Sequence, residues 1–162
     1  MLQQLSSQPW YDLALSGEVN LGYYTNAAAG LALRLGRITT DFSQFDPNPL
    51  GSYNEVQAAR RPSPRALELY GWLAGRTRLV AYNALLQGQF RRSAVTFDST
   101  GIEHVVNELE TGVTAGLCGF HATWVVLAGR SPEIRVSRPR AHYWGAFHVS
   151  FRPPPPGVRF CG

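Results

Sequence analysis

Regular alternation of apolar and polar residues is the feature that most limits what this chain can fold into. Odd-numbered positions from Ala141 to Phe151 are apolar, whereas even-numbered positions from His142 to Arg152 are mostly polar or small. Side chains on a strand point to opposite faces in turn, so this segment has one apolar and one polar face. The same period recurs over residues 13–24, 29–36 and 105–117. These apolar faces either pack together in a soluble sandwich or contact lipid.

The composition describes one folded domain with little charge. The chain has 162 residues, of which 44% are hydrophobic and 16% are charged. No run approaches the length of a membrane-spanning helix, but this says nothing against short alternating membrane strands. The net charge of +4 comes from arginine, since the chain contains no lysine. Arginine binds phosphate well, but no basic helix with interleaved aromatic residues is present, so nucleic acid is not expected as a partner.

The pattern predicts an all-β fold of about six antiparallel up-and-down strands in one domain over residues 8–152. Residues 153–162 form a proline-rich tail that is expected to be unstructured. Thr25-Asn26 and Cys118-Gly119 read as tight hairpin turns, while the spacing of Cys118 and Cys161 gives no basis for a disulfide. The six strands are expected at roughly 12–24, 27–38, 68–86, 104–117, 120–129 and 141–152.

Six strands are too few to close a barrel, because small barrels need about eight. An open sheet in hydrocarbon would leave unpaired edges, which a bilayer does not tolerate. The membrane interpretation therefore predicts about half of an outer-membrane β-barrel, completed by strands from elsewhere. In the third predicted strand the alternation is poor, which a β-bulge would explain.

The residues that could carry chemistry do not form a known catalytic motif. The chain has four histidines: His104, His121, His142 and His148. Their spacing is not that of metal ligands, and His142 and His148 would lie about 20 Å apart on the polar face of one strand. Three carboxylates occupy polar-face positions of predicted strands: Glu18, Glu108 and Glu110. They are expected to pair with Arg34 or another arginine of the same face.

Several segments resemble one family of outer-membrane enzymes. Residues 21–37 contain a glycine-marked strand, a threonine-containing segment and the pattern Ala-Gly-Leu-Ala-Leu-Arg-Leu-Gly. Residues 69–88, 108–113 and 142–151 follow in the order and spacing of later strands. Together these segments resemble the carboxyl-terminal half of lipid A deacylases of the LpxR type.

This resemblance implies a β-barrel in the bacterial outer membrane that hydrolyses an ester-linked acyl chain of lipid A, at the 3-O position. Lipopolysaccharide would be the substrate and calcium the cofactor of the complete enzyme. The family's catalytic residues belong to its amino-terminal half and have no matching positions here. The resemblance therefore assigns no catalytic, substrate-binding or metal-binding residue, and no calcium is expected on this chain.

Residues 1–7 lack the basic and apolar segments of a secretion signal. Together with the resemblance to one half of the family, this predicts a truncated, inactive product whose missing amino-terminal half is a possible partner. The alternative is a soluble all-β binding module without catalysis, in which the apolar faces pack against each other.

Overall fold

The computed structural model describes residues 2–8, 10–40, 42, 67–88, 96–135 and 140–151. Its strands form a single antiparallel sheet in which each strand lies beside the next one in sequence. No helix within these ranges is long and apolar enough to cross a membrane. The elements are β1 (Leu2–Gln8), β2 (Tyr11–Asn20), β3 (Tyr24–Arg37), β4 (Glu68–Asn83), α1 (Ala84–Gln87), a 3₁₀ turn (Ser99–Gly101), β5 (Val105–Leu117), β6 (Phe120–Arg130) and β7 (His142–Phe151).

The all-β, up-and-down prediction is confirmed, but the sheet has seven strands rather than six. The additional strand is β1, whose alternation is interrupted by a shift in its pairing with β2 between Gln4 and Ser6. Because such a bulge adds one residue, the apolar and polar residues of this strand no longer alternate regularly in the sequence. The sheet is open, with β1 and β7 at its two edges.

One predicted turn is confirmed and the other is wrong. Cys118 and Gly119 join β5 to β6 with φ angles of 55° and 80°, as a two-residue hairpin turn requires. Cys118 is also disulfide-bonded, which the sequence spacing does not predict. Thr25 and Asn26 lie inside β3, because the chain reverses earlier, at Gly22, where φ is 142°. The Thr25 hydroxyl donates to the Gly22 carbonyl at 3.0 Å and closes that turn.

The third predicted strand ends earlier than expected. β4 stops at Asn83, whose side chain accepts a hydrogen bond from the Leu85 amide at 3.1 Å and caps α1. The pairing of β3 with β4 also shifts, since Thr25 lies opposite Tyr82 but the next residue lies opposite Val80. The extra residue on β4 is a bulge, and it accounts for the poor alternation of this segment.

One face of the sheet, here called the apolar face, exposes large hydrophobic side chains across β2 to β7. They include Leu15, Leu31, Leu73, Leu109, Trp124 and Phe147, with exposed fractions between 43% and 71%. A β-sandwich would bury such a face under a second sheet, whereas all the described strands belong to one sheet.

The opposite face, here called the polar face, carries small and polar side chains and is largely buried. A row of alanines crosses it where Ala14, Ala32 and Ala74 lie opposite one another. Phe42 packs onto this region with only 1% of its surface exposed, and Ile38 lies against the same cluster. The chain after β3 therefore folds back over the polar face.

We expect Gly112→Ala to destabilise the sheet, because a Cβ there would lie 2.5 Å from the Trp124 carbonyl oxygen and 2.7 Å from Trp72. Overpacking of this kind costs about 1–3 kcal/mol in the free energy of unfolding. Gly17→Ala is the matched control, since nothing lies within 4 Å of its Cβ position. Urea titration of the refolded chain in detergent measures both. Equal stabilities of the two variants would contradict the packing described here.

Candidate functional site

Three arginines surround one carboxylate on the polar face. The strand register places Arg76, Glu108 and Arg130 opposite one another on β4, β5 and β6. The Nε of Arg76 donates to Glu108 at 2.6 Å, and the Nε of Arg130 lies 3.5 Å from the same carboxylate. Arg78, two residues after Arg76, approaches it to 3.9 Å. Because Glu108 is only 8% exposed, these charges are stabilised by one another rather than by water.

Two more carboxylates complete this group, here called the arginine cluster. Glu18 on β2 lies 3.7 Å from Arg76, and Glu133 pairs with Arg130. The ring of Tyr24 lies under Arg78, with 5.5 Å between the guanidinium carbon and the ring centroid. Negative charges therefore compensate the arginines. The ion pairs of the arginine cluster connect β2, β4, β5 and β6, and the cluster is not arranged to bind a free anion.

A second polar group, here called the Glu68 cluster, lies near the opposite ends of the strands. Within it Arg34 is fully buried and forms an ion pair with Asp12. Arg34 also donates to the Thr40 carbonyl at 3.1 Å. Its guanidinium lies between two rings, 4.8 Å from the centroid of Phe42 and 5.3 Å from that of Tyr70. Arg34 thus anchors the segment that follows β3 to the sheet.

Glu68, at the start of β4, holds the same segment through one carboxylate oxygen. Its Oε1 accepts hydrogen bonds from the amides of Thr39 and Thr40, each at 3.2 Å, and from the Thr40 hydroxyl at 2.5 Å. Its Oε2 faces the Nδ1 of His121 at 3.6 Å. The Glu68 cluster therefore combines a fixed carboxylate with an imidazole.

The alternating pattern predicts that Glu18, Glu108 and Glu110 pair with Arg34 or another arginine of the same face. Glu18 and Glu108 do so, with Arg76 rather than with Arg34. Glu110 lies between the two clusters, opposite Ala74 and Ala128 in the alanine row.

The histidines lie at separate places. Both ring nitrogens of His104 lie within 3.1 Å of backbone carbonyls, at the end of the sheet where the arginine cluster lies. His142 and His148 are exposed on the edge strand β7, opposite Arg130 and Thr123. His121 lies close to a carboxylate, that of Glu68.

No group of three or more His, Cys, Asp or Glu side chains in the described ranges is arranged to hold a metal ion. Glu108 is bound by guanidinium groups, and three donors hold one carboxylate oxygen of Glu68. The described residues therefore offer no cluster of carboxylates of the kind that calcium prefers.

Sequence reasoning missed Asp12, Thr40 and Glu68. Asp12 and Glu68 are even-numbered, like the other polar-face residues of their strands. This was the feature of the sequence that could have assigned them to the polar face. Their partners Arg34 and His121 are distant in sequence, so the pairs follow only from the strand register.

We expect Glu108→Gln to lower the free energy of unfolding by about 3 kcal/mol, because it leaves buried guanidinium groups without their counter-charge. The matched control is Glu103→Gln, which removes an exposed pair with Arg135 and costs less than about 1 kcal/mol. Urea titrations of the two refolded variants compare them directly. Similar losses would show that the arginine cluster does not stabilise the sheet.

Comparison with known proteins relates nearly the whole chain to one family. The model of the family described as "Outer membrane protein LpxR" matches residues 1–153. No curated protein and no solved structure matches the chain.

Proposed function

Because the chain belongs to the family of outer membrane protein LpxR, we propose that it forms part of the wall of an enzyme that removes a 3-O-linked acyl chain from lipid A. The family relates the chain to outer-membrane lipid A deacylases, whose substrate is lipopolysaccharide. The single observation that carries the proposal is the family match over residues 1–153 of a chain that folds as one antiparallel sheet.

The apolar face supports a position in the membrane. Leu73 and Phe147 expose 47% and 71% of their surfaces among many neighbours of the same kind. A continuous apolar surface of this size is a liability in water but suits contact with lipid chains. All the ion pairs of the two clusters lie on the opposite face, where an aqueous barrel interior would be.

The two open edges support completion by further strands. An unpaired strand edge carries free amide and carbonyl groups, which hydrocarbon cannot satisfy. We therefore propose that β1 and β7 pair with strands that correspond to the amino-terminal half of the family barrel.

The calcium-dependent reaction of the family is assigned to that other half. Calcium would stabilise the negative charge that develops on the ester oxygen, but the described residues do not fit it. The seven strands supply part of the barrel wall, and their polar face supplies part of the surface of the barrel interior. On this proposal the chain by itself carries out no calcium-dependent deacylation.

We expect the refolded chain to float with phospholipid vesicles in a density gradient. Leu73→Arg should weaken this association by about 2–4 kcal/mol, the cost of arginine near the middle of a bilayer. Ser99→Arg, in the exposed 3₁₀ turn, should leave it unchanged. Recovery of the unmodified chain in the aqueous fraction as a monomer would instead support the soluble binding module.

We expect no calcium-dependent loss of an acyl chain when the purified chain is incubated with lipid A and analysed by mass spectrometry. Parallel samples contain calcium or a chelator. A complete family member provides the positive control, and its amino-terminal half, refolded together with this chain, should restore the calcium-dependent loss. Deacylation that requires calcium with this chain alone would contradict the half-barrel proposal.

A further inference from the structure

The apolar face is not evenly covered by large hydrophobic side chains, because two adjoining hollows cross it. The first has a volume of about 610 Å³ and is lined by Leu31 and Leu109. The second has a volume of about 600 Å³ and is lined by Val19. Both are also lined by Ala29 and Thr77, so they form one depression, here called the furrow. Each hollow has the size of a site for a small ligand.

Small residues form the floor of the furrow. The strand register places Gly17, Ala29 and Thr77 opposite one another on β2, β3 and β4. In the neighbouring row, Gly75 lies between a leucine of β3 and a leucine of β5. A Cβ at Gly17 would meet nothing within 4 Å, and the nearest atom to a Cβ at Gly75 would be 3.9 Å away. The furrow is therefore open space above the strands.

Three polar residues lie at one side of the furrow, although most of this face is apolar. The Oγ1 of Thr77 donates to the Oδ1 of Asn107 at 2.9 Å, and the backbone amide of Asn107 donates to the Oγ of Ser131 at 2.9 Å. The side chains of Thr77 and Asn107 are exposed. Because Thr77 occupies the Oδ1 of Asn107, the Nδ2 group remains as a donor, and it makes no hydrogen bond to the described residues.

These polar residues lie near one end of the strands. Asn107 follows the first residue of β5, Val105, by two positions, which is about 7 Å along the strand. β5 has 13 residues, whereas a strand crosses the hydrocarbon of a bilayer in about 9–11. Asn107 therefore lies at the depth where hydrocarbon gives way to headgroups. The ester groups of a phospholipid join its acyl chains to its headgroup, so they lie at the same depth.

The charged groups of the described residues that border the furrow point away from it. Arg76, Glu108 and Arg130 line the first hollow, but their side chains meet in the arginine cluster on the polar face. Glu18 borders the second hollow and pairs with Arg76 in the same cluster. The described side chains that project into the furrow are therefore uncharged. They suit a neutral ester carbonyl, whereas proteins bind phosphate mainly through arginine and lysine.

We propose that the furrow binds one glycerophospholipid of the surrounding membrane. One acyl chain lies over Gly75 and Ala29, and the ester carbonyl of this chain accepts a hydrogen bond from the Nδ2 of Asn107. The acyl chain fills a gap that would leave the lining leucines without contacts on one side. The site rests on the proposed function, because a membrane lipid reaches it only if the apolar face contacts the bilayer. The phospholipid is a bound ligand, and no bond in it is made or broken.

The direct test is native mass spectrometry of the full, refolded chain in detergent, titrated with a phosphatidylcholine that carries two ester-linked acyl chains. We expect binding that saturates at one molecule per chain. Gly75→Leu should lower the affinity about tenfold or more, because its side chain occupies the furrow. Gly71→Leu is the matched control, since Gly71 lies in the same strand and face but outside the furrow, opposite Leu35 and Val113. A Cβ at Gly71 would be 3.8 Å from its nearest neighbour, so this variant should keep the affinity of the unmodified chain.

A phosphatidylcholine with ether linkages in place of the esters tests the role of the carbonyl. The unmodified chain should bind the diether about 3–10-fold more weakly than the diester, which corresponds to the loss of one hydrogen bond. Asn107→Leu should bind the diester and the diether equally. A role of Asn107 in stability alone would not remove the preference for the ester. Urea titration of each variant confirms that the comparison is made between folded chains.

The proposal is overturned if the folded, unmodified chain retains no phosphatidylcholine, if the two glycine variants lose affinity equally, or if the diester and the diether bind alike. It is also overturned if purified lipid A binds the furrow more tightly than phosphatidylcholine does, or if a dimer of the chain forms in place of the lipid complex. Vesicle flotation separates these outcomes from failure of the proposed function. A chain that floats but retains no phosphatidylcholine has the membrane role without the furrow site. A chain that stays in the aqueous fraction contradicts the proposed function and, with it, the membrane lipid site.

Discussion

Hydrocarbon satisfies neither charges nor unpaired backbone groups, and this constraint accounts for most of the arrangement of the sheet. Strand geometry sends alternate residues to opposite faces, so every ion pair of the two clusters lies on one face and the large exposed hydrophobic residues lie on the other. The charged groups of the polar face are stabilised by partners of opposite charge. Glu108 is this partner for Arg76 and Arg130, and Asp12 is this partner for Arg34.

Flat side chains reach across neighbouring strands only where the intervening residue is small. Trp72 lies over Gly112, and the imidazole of His121 lies over Gly116. In both cases a single added carbon would displace the ring. Glycine thus determines which polar-face residues meet, because it lets a side chain pass over one strand towards the next. The contact between Glu68 and His121 depends on this arrangement as much as on the chemistry of the pair.

Alternation was sufficient to predict the fold class and most of the strands, because the period of two is strong wherever pairing is regular. It failed at β1, where the register shifts after Gln4, and at Thr25, where the turn is set earlier by the backbone of Gly22. Glu18 and Glu108 were recognised as paired carboxylates from their parity alone. The partners of Asp12 and Glu68 were not, since they lie on other strands and only the register brings them together.

The strictly sequential order of the strands also determines how the sheet can assemble. Each strand pairs with the one that precedes it, and the three short connections, β1 to β2, β2 to β3 and β5 to β6, lose little chain entropy on closing. The longest connection is that from β3 to β4, which spans residues 38–67. There Arg34 and Glu68 both form hydrogen bonds with Thr40. These two contacts hold the beginning of the longest connection against both of the strands that it joins.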